Sequence, residues 1–388
     1  MSGVGRHIFL IAGEHSGDQL GYRLMRSLRA AEPGIRLSGI GGEAMAGEGL
    51  TSLFPLADIA VMGFLPVIKR LPTLLKRIRM AADAVVAAQP DALVIIDSPD
   101  FTHRVARKVR RRLPNLPVID YVCPSVWAWR SGRASKMRAY IDHVLAILPF
   151  EPAALQRLNG PPGTYVGHPL IERLDVLQPD PDDAARRLAE PPLLIVLPGS
   201  RRSEIHRLMP VFRDTLALVR RRHGDLDVIL PTVADRQAEI EAALQDWPVK
   251  PRVVPEEAAK YAAFRQARAA LAKSGTVTLE LALAGVPSVV GYQVSKLEEA
   301  IARRMIEVPT ILLPNLILGN NVYPEFIQAD CAPGPLAEAL FPLLTQSPAR
   351  EAQVSGLKKL AHLMQLPGGE SPSAAAARVV LQVMDKAR

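Results

Sequence analysis

"LLIVLPGSRRSEI", residues 193–205, is a run of aliphatic residues that stops at Pro198 and turns at once to glycine, serine and two arginines. An unbroken apolar run of this length suits a strand buried on both faces, as in a parallel sheet covered by helices. Beyond it, Ser200 or Ser203 is placed to cap a helix, with Glu204 in its first turn. A helix start presents unpaired N–H groups and the positive end of a dipole, so an anion fits there. Arg201 can add a forked contact to phosphate oxygens. Gly199, Ser200 and Arg201 are therefore candidates for holding an anionic substrate. The competing reading is an ordinary capped helix with solvated arginines.

The same alternation of apolar strand, turn and helix runs through the chain. "HIFLIAG" (7–13), "RLSGIGG" (36–42), "DALVIIDSPD" (91–100), the end of "VRRRLPNLPVIDYVCPS" (109–125) and "DHVLAILPFE" (142–151) read as five strands. After residue 192 the pattern restarts with "PLLIVLPGS", "LDVILPTV", "RVVP", "ARAALAKSG" and "VPSVVGY". The proline- and aspartate-rich stretch 174–192 reads as a linker. The expected fold is α/β, with two Rossmann-like domains facing a central cleft, and open sheets of this kind bind ligands at the carboxyl ends of their strands. The expected division is 1–170 and 171–359, the first domain completed by helices at about 360–388.

Composition narrows the partners. The 388 residues carry a net charge of +8, which favours phosphates, nucleotides or acidic lipid. Aromatic residues make up only 5% and do not interleave with basic tracts, so nucleic acid is not expected as a partner. Two cysteines, Cys123 and Cys331, lie outside any CxxC pattern, which fits a reducing compartment and no cysteine-held metal. The opening apolar run is too short for a signal peptide core, and no stretch reaches the length of a membrane span. A cytoplasmic protein is expected, one able to touch a membrane from that side.

Further motifs carry the chemistry. "AKSGTVTLELALAG" (272–285) places Ser274, Gly275 and Thr276 at a second helix start suited to phosphate, with Glu280 one turn in and able to accept from ribose hydroxyls. "GEHSGDQLG" (13–21) lacks both GxGxxG and a Walker lysine, and its Ser16 and Asp18 suit a sugar or its hydroxyls. "IIDSPDF" ends a strand with Asp97 and Asp100, either of which can serve as a general base, although Asp100 also suits a helix cap. The stretch 61–80 mixes Phe64, Leu65, Val67, Ile68, Leu71, Leu74 and Leu75 with five cations. Pro66 and Pro72 are expected to break it into pieces. Its composition suits an anionic lipid interface, or equally helices packed on the sheet with snorkelling cations.

Taken in order, "AGEHSGD", "GIGGEAM", "AVMGF", "IDSPDF", "PSVWAWR", "ILPFE", "VGHP", "LPGSRRSEI", "SGTVTLE" and "LPNLILG" make the chain resemble the lipid-A-disaccharide synthase family over nearly its whole length. The resemblance implies the GT-B type of glycosyltransferase fold. It implies a reaction joining UDP-2,3-diacylglucosamine to 2,3-diacylglucosamine 1-phosphate (lipid X), with UDP released and a β-1,6 disaccharide formed. Inversion at the anomeric carbon implies a single in-line displacement. Asp97 is then the expected base with Asp100 second, Arg201 and the two helix starts would hold the diphosphate, Glu280 the ribose, and Asn315 would join the substrate contacts. Trp127 and Trp129 either line the acceptor region or belong to the core. No cofactor is implied, and no DxD metal motif stands at a strand end. The inner-membrane surface is the implied location. The C-terminal helices either return to the first domain or are exchanged within a homodimer. Two departures, His15 and "GNNVYPEF" (319–326), fall on the acceptor side. Two other readings stay open on sequence: another nucleotide-sugar enzyme of the same fold, and a non-catalytic lipid-binding protein that kept it.

Overall fold

The computed structural model describes residues 5–60 and 64–387, with the side chains of the helix Phe64–Ala88 described from Arg70 onward. The chain divides into two compact units, Met1–Ile171 with Gln365–Arg388, and Glu172–Met364.

In the first unit, β1 (His7–Ala12), β2 (Arg36–Ile40), β3 (Ala92–Ile96), β4 (Val118–Tyr121), β5 (His143–Ala146) and β6 (Gly163–Tyr165) form one parallel sheet in the order β2-β1-β3-β4-β5-β6. Every residue of β1 and β3 is buried, because alternate side chains enter different cores. Phe9, Ile11, Leu93 and Ile95 pack on Ile78, Ala81 and Val85 of the helix Phe64–Ala88. Ile8, Leu10, Val94 and Ile96 pack on Leu20, Leu24 and Leu28 of the helix His15–Ala31, joined there by Ala376 and Val380 of the helix Pro372–Ala387. The C-terminal segment comes so close to "VGHP" that a Cβ on Gly167 would lie 2.9 Å from Pro372, and Gly167 itself has φ +84.

The second unit repeats the plan with β7 (Leu193–Leu197), β8 (Asp227–Pro231), β9 (Arg252–Val254), β10 (Ala269–Lys273), β11 (Ser288–Tyr292) and β12 (Glu325–Ile327), ordered β12-β11-β10-β7-β8-β9. Strand order reverses between β1 and β3 in one sheet and between β7 and β10 in the other. These are the switch points at which ligands enter open α/β sheets. The edge strands β6 and β12 escape sequence reading because each is three residues long and none of these residues is buried.

Two expectations need correction. Residues 174–192 are not a linker: they contain the helices Leu174–Leu177 and Pro181–Leu188. Asp180 accepts the Asp183 N–H at 2.8 Å, and buried Asp183 bonds Arg265 at 2.6 Å and Gln266 at 2.9 Å. Aspartate and proline mark helix starts as readily as loops, and here they mark starts. Nor do the prolines break residues 64–88, which form one helix with Pro72 inside it. Pro66 sits in the first turn, where no N–H is needed, and Pro72 forfeits one backbone bond on a helix held by its buried face. No helix among the described residues is long and apolar enough to cross a membrane.

Candidate functional site

In the first unit the turns after β1 and β3 meet at the switch point. Asp97 and Ser98 adopt left-handed backbone, φ 56 and 46, and Val122 after β4 has φ 85. Non-glycine residues, above all a β-branched one, rarely hold such angles, and strain of this kind gathers at functional sites. Asp97 Oδ1 accepts the Ser98 N–H at 2.7 Å. The Ser16 hydroxyl lies 2.9 Å from Asp97 Oδ2 and 3.1 Å from Glu14 Oε1, within donating reach of either carboxylate. Burial, then the hydrogen bond to Asp97 and its charge, push the Glu14 carboxyl up to about 7. Sequence reading found Ser16 and Asp97 but missed Glu14. The only available signal was a second acid in the same glycine-rich turn.

A groove of about 180 Å³ opens beside Asp97, lined by Pro99, Val122, Trp129, Arg130 and Arg133 among others. The Arg130 guanidinium stacks 4.3 Å over the Trp129 ring. Trp127 has a different task, packing edge-on to Phe150 at 4.9 Å and donating to Glu151 Oε1 at 3.1 Å. Glu151 also accepts from the Ile147 and Leu148 N–H groups at 3.0 Å each, and burial outweighs these bonds to push its carboxyl up to about 7. A second groove of about 200 Å³ runs past Leu71, Leu74, Leu75, Ile78 and Phe101 to Asp100. Leu71 and Leu75 are 44% and 42% exposed, whereas Leu74 is half-buried against the core. Phe64, Leu65, Val67 and Ile68 lie outside the described side chains.

In the second unit the turn after β7 answers why glycine follows Pro198. Gly199 has φ +117, and a Cβ there would strike Glu204 Oε2 at 2.4 Å. Neither serine caps the helix Arg202–His223. Arg201 holds the cap position, and Glu204 reaches back to its N–H at 3.4 Å. Gly199, Ser200 and Arg201 line a groove of about 520 Å³ together with Gly275 and Thr276 after β10, Thr232 and Val233 after β8, and Lys260 and Lys273. Lys273 Nζ sits 3.0 Å from buried Glu204, and Lys260 Nζ 2.9 Å from Glu280. Arg201 is largely exposed, with Nη1 3.6 Å from Glu204 Oε1. Three cations against two carboxylates leave the groove net positive, and Thr232 Oγ1 is buried there without a hydrogen-bond partner. Lys260, Lys273 and Thr232 were not foreseen. Lys260 lies within the helix Glu257–Gln266 and Thr232 follows β8 without a glycine, while Lys273 ends β10 and was passed over for the Ser274–Thr276 turn after it.

Four expected substrate contacts are placed differently. Asp18 is buried, and its carboxylate accepts the N–H groups of Gly42, Ala44 and Met45 at 2.7, 2.9 and 3.1 Å, capping the helix Glu43–Gly47. Asn315 is equally occupied: its amide bridges the N–H and C=O of Tyr323 at 2.9 Å each, inside the unit. Ser274 lines a neighbouring groove rather than the one holding Gly275 and Thr276. Glu280 reaches the nucleotide-sized groove only through Lys260. Asp100, by contrast, stands exposed in the first turn of the helix Pro99–Arg110, 3.9 Å from Arg133. Removing the Asp18 carboxylate (Asp18→Ala) strands three donors and should cost about 3 kcal/mol, read as a lower denaturation midpoint. An unchanged midpoint would return Asp18 to the substrate contacts.

Comparison with known proteins covers the same ground. The family model described as Lipid-A-disaccharide synthetase matches residues 8–379. A lipid-A-disaccharide synthase of Nitrobacter winogradskyi is 56% identical over 384 residues, covering 99% of this chain and 97% of that one. One of Rhodopseudomonas palustris strain HaA2 is 54% identical over 386 residues, covering 99% and 98%. Among solved structures, MurG of Acinetobacter baumannii gives a TM-score of 0.58 at 14% identity, covering 98% of this chain and 99% of that one. The glycotransferase of kitacinnamycin gives 0.62 at 17%, with coverage of 98% and 99%. At such identities the structural likeness speaks for the GT-B fold alone.

Proposed function

Because the chain belongs to the lipid-A-disaccharide synthase family, we propose that it is an inverting glycosyltransferase making the lipid A disaccharide. It joins UDP-2,3-diacylglucosamine to 2,3-diacylglucosamine 1-phosphate and releases UDP. The observation that carries this reading is the net-positive groove at the β7/β10 switch point, where three strand ends and three cations converge.

In this reading the diphosphate lies against the Gly199–Arg201 turn and Gly275–Thr276, with Arg201 and Lys273 offsetting charge as the leaving group departs. Thr232 and Val233 meet the uracil, and the ribose is held through the Lys260–Glu280 pair. Asp97 removes the proton from the acceptor 6-hydroxyl. That oxygen attacks the anomeric carbon on the face opposite UDP, the C1–O bond to the diphosphate breaks, and the electron pair leaves with UDP. Glu14, hydrogen-bonded to Asp97, is the group on which the abstracted proton is shared. Arg130 and Arg133 supply positive charge for the acceptor phosphate. Incubation of the protein with both acyl sugars tests the whole: UDP and disaccharide should appear together. Tight lipid binding without UDP release would favour a non-catalytic lipid carrier.

The acyl substrates place the enzyme on the cytoplasmic surface of the inner membrane, with exposed Leu71 and Leu75 and the nearby cations Arg70, Lys76 and Arg79 meeting lipid. A Leu71→Ser, Leu75→Ser double variant should bind anionic vesicles about tenfold more weakly while melting as the parent does. Equal vesicle binding would assign this face to another role.

A further inference from the structure

The helix Lys296–Met305 has no buried residue, yet its start is firmly built. Ser295 Oγ accepts the Glu298 N–H at 3.2 Å, and Glu298 accepts the Ser295 N–H at 2.8 Å. Leu297 and Ile301, one turn apart on the same face, are 71% and 50% exposed, and Ile306 beyond the helix is 42% exposed. The acids of this helix are engaged: Glu298 lies 3.6 Å from Arg207, and Glu299 bonds Arg303 and Gln328. Lys296 and Arg304 remain as exposed cations.

Beside the helix lies a groove of about 570 Å³ with an apolar wall of Val294, Ala302, Ile306, Val308, Ile311 and Ile327, and with Glu299, Arg303, Gln328 and Asp330 also along its lining. It also reaches Ser274, the residue immediately before the Gly275–Thr276 turn that lines the nucleotide groove. A groove with an apolar wall thus begins beside the diphosphate turn, within the same unit, and is bordered by a helix that offers apolar side chains and cations outward. Along its apolar wall a hydrocarbon chain attached to the nucleotide sugar is a more fitting occupant than water.

We infer that this groove receives an acyl chain of the nucleotide-sugar donor, with Leu297 and Ile301 guiding it from the lipid surface. The inference rests on the proposed reaction, since that reaction supplies a donor carrying both a nucleotide and acyl chains. Charge fits as well: the exposed Lys296 and Arg304 suit the anionic headgroups from which such a donor is drawn. Each methylene withdrawn from water is worth about fourfold in affinity, so the groove should make donor use steeply dependent on chain length.

The test uses the full chain and two variants that fill the groove from two separate lining positions, Ala302→Trp and Val308→Trp. KM is measured for a long-chain diacyl donor and for a diacetyl donor, and UDP affinity by calorimetry. Each variant should raise the long-chain KM by roughly tenfold or more, leaving the diacetyl KM and UDP affinity near the parent values. Equal changes for both donors, no change in either variant, or a changed dependence on acceptor chain length instead would overturn the inference. A wild-type measurement covers the case of misfolded variants: a donor with a photoreactive acyl chain should label the peptide 294–311, and UDP should compete. Labelling confined to other segments overturns the inference. Because labelling needs binding and not turnover, an absence of disaccharide would sink the proposed reaction separately.

Discussion

Replacing Asp97 by asparagine should lower kcat by roughly two to four orders of magnitude while leaving UDP affinity within about twofold. The amide keeps the size of the side chain and can still meet the Ser98 N–H and the Ser16 hydroxyl, so the strained turn after β3 should persist. What it loses is the capacity to take a proton. Retained turnover would remove Asp97 as the base and pass the role to its neighbour. That neighbour gives the reaction a pH signature. Glu14 is pushed up to about 7 by burial first and then by Asp97. Below that value Glu14 already carries a proton, and above it Glu14 is ionised and can share the proton taken from the acceptor. Activity should therefore rise as pH passes through about 7, and Glu14→Gln should flatten that limb, since its amide does not titrate. An identical limb in the variant would detach it from this pair. The same shift acts on stability in the opposite direction. The unfolded chain ionises Glu14 at an ordinary carboxyl value and the folded chain only near 7, so this contribution is lost as pH rises across that interval.

Arg201→Ala should reduce kcat/KM by about 100-fold or more, with an unchanged melting temperature. The two halves of this expectation have separate causes. The Arg201 side chain is 71% exposed and its ion pair with Glu204 is loose, so its removal costs the fold little. The helix start survives because Glu204 meets the backbone N–H of residue 201 whatever its side chain. For a departing diphosphate, however, a forked guanidinium at the mouth of the groove has no substitute. Arg201→Lys should recover only part of the loss, because a point charge lacks the planar pair of donors. Parental kinetics in Arg201→Ala would mean that Lys273 and Lys260 suffice to hold the anion.

The contrast between Arg201 and Asp18 shows where sequence reading stops. Both follow a strand end within a few residues, in glycine-bearing sequence, and both read as substrate contacts. Arg201 is free to serve because the local turn leaves it in the groove. Asp18 is occupied because the chain returns 24 to 27 residues later with three unpaired N–H groups. Lys273 was hidden for the same reason: its partner Glu204 lies 69 residues away. The Glu14–Ser16–Asp97 cluster likewise closes across 81 residues.

The amino-acid sequence alone determined the two α/β units, the strands of both sheets except β6 and β12, and the family. These are encoded locally: a strand buried on both faces must be apolar throughout, and a turn that admits a diphosphate must combine small residues with positive charge. Tertiary structure alone decided which polar groups are spent on the fold and which remain for chemistry. It placed Asn315 and Asp18 inside, kept residues 64–88 as one helix despite Pro72, and joined Lys273 to the groove at the end of β7. The physical reason is that a hydrogen bond or ion pair is a property of two groups, and folding chooses the second one.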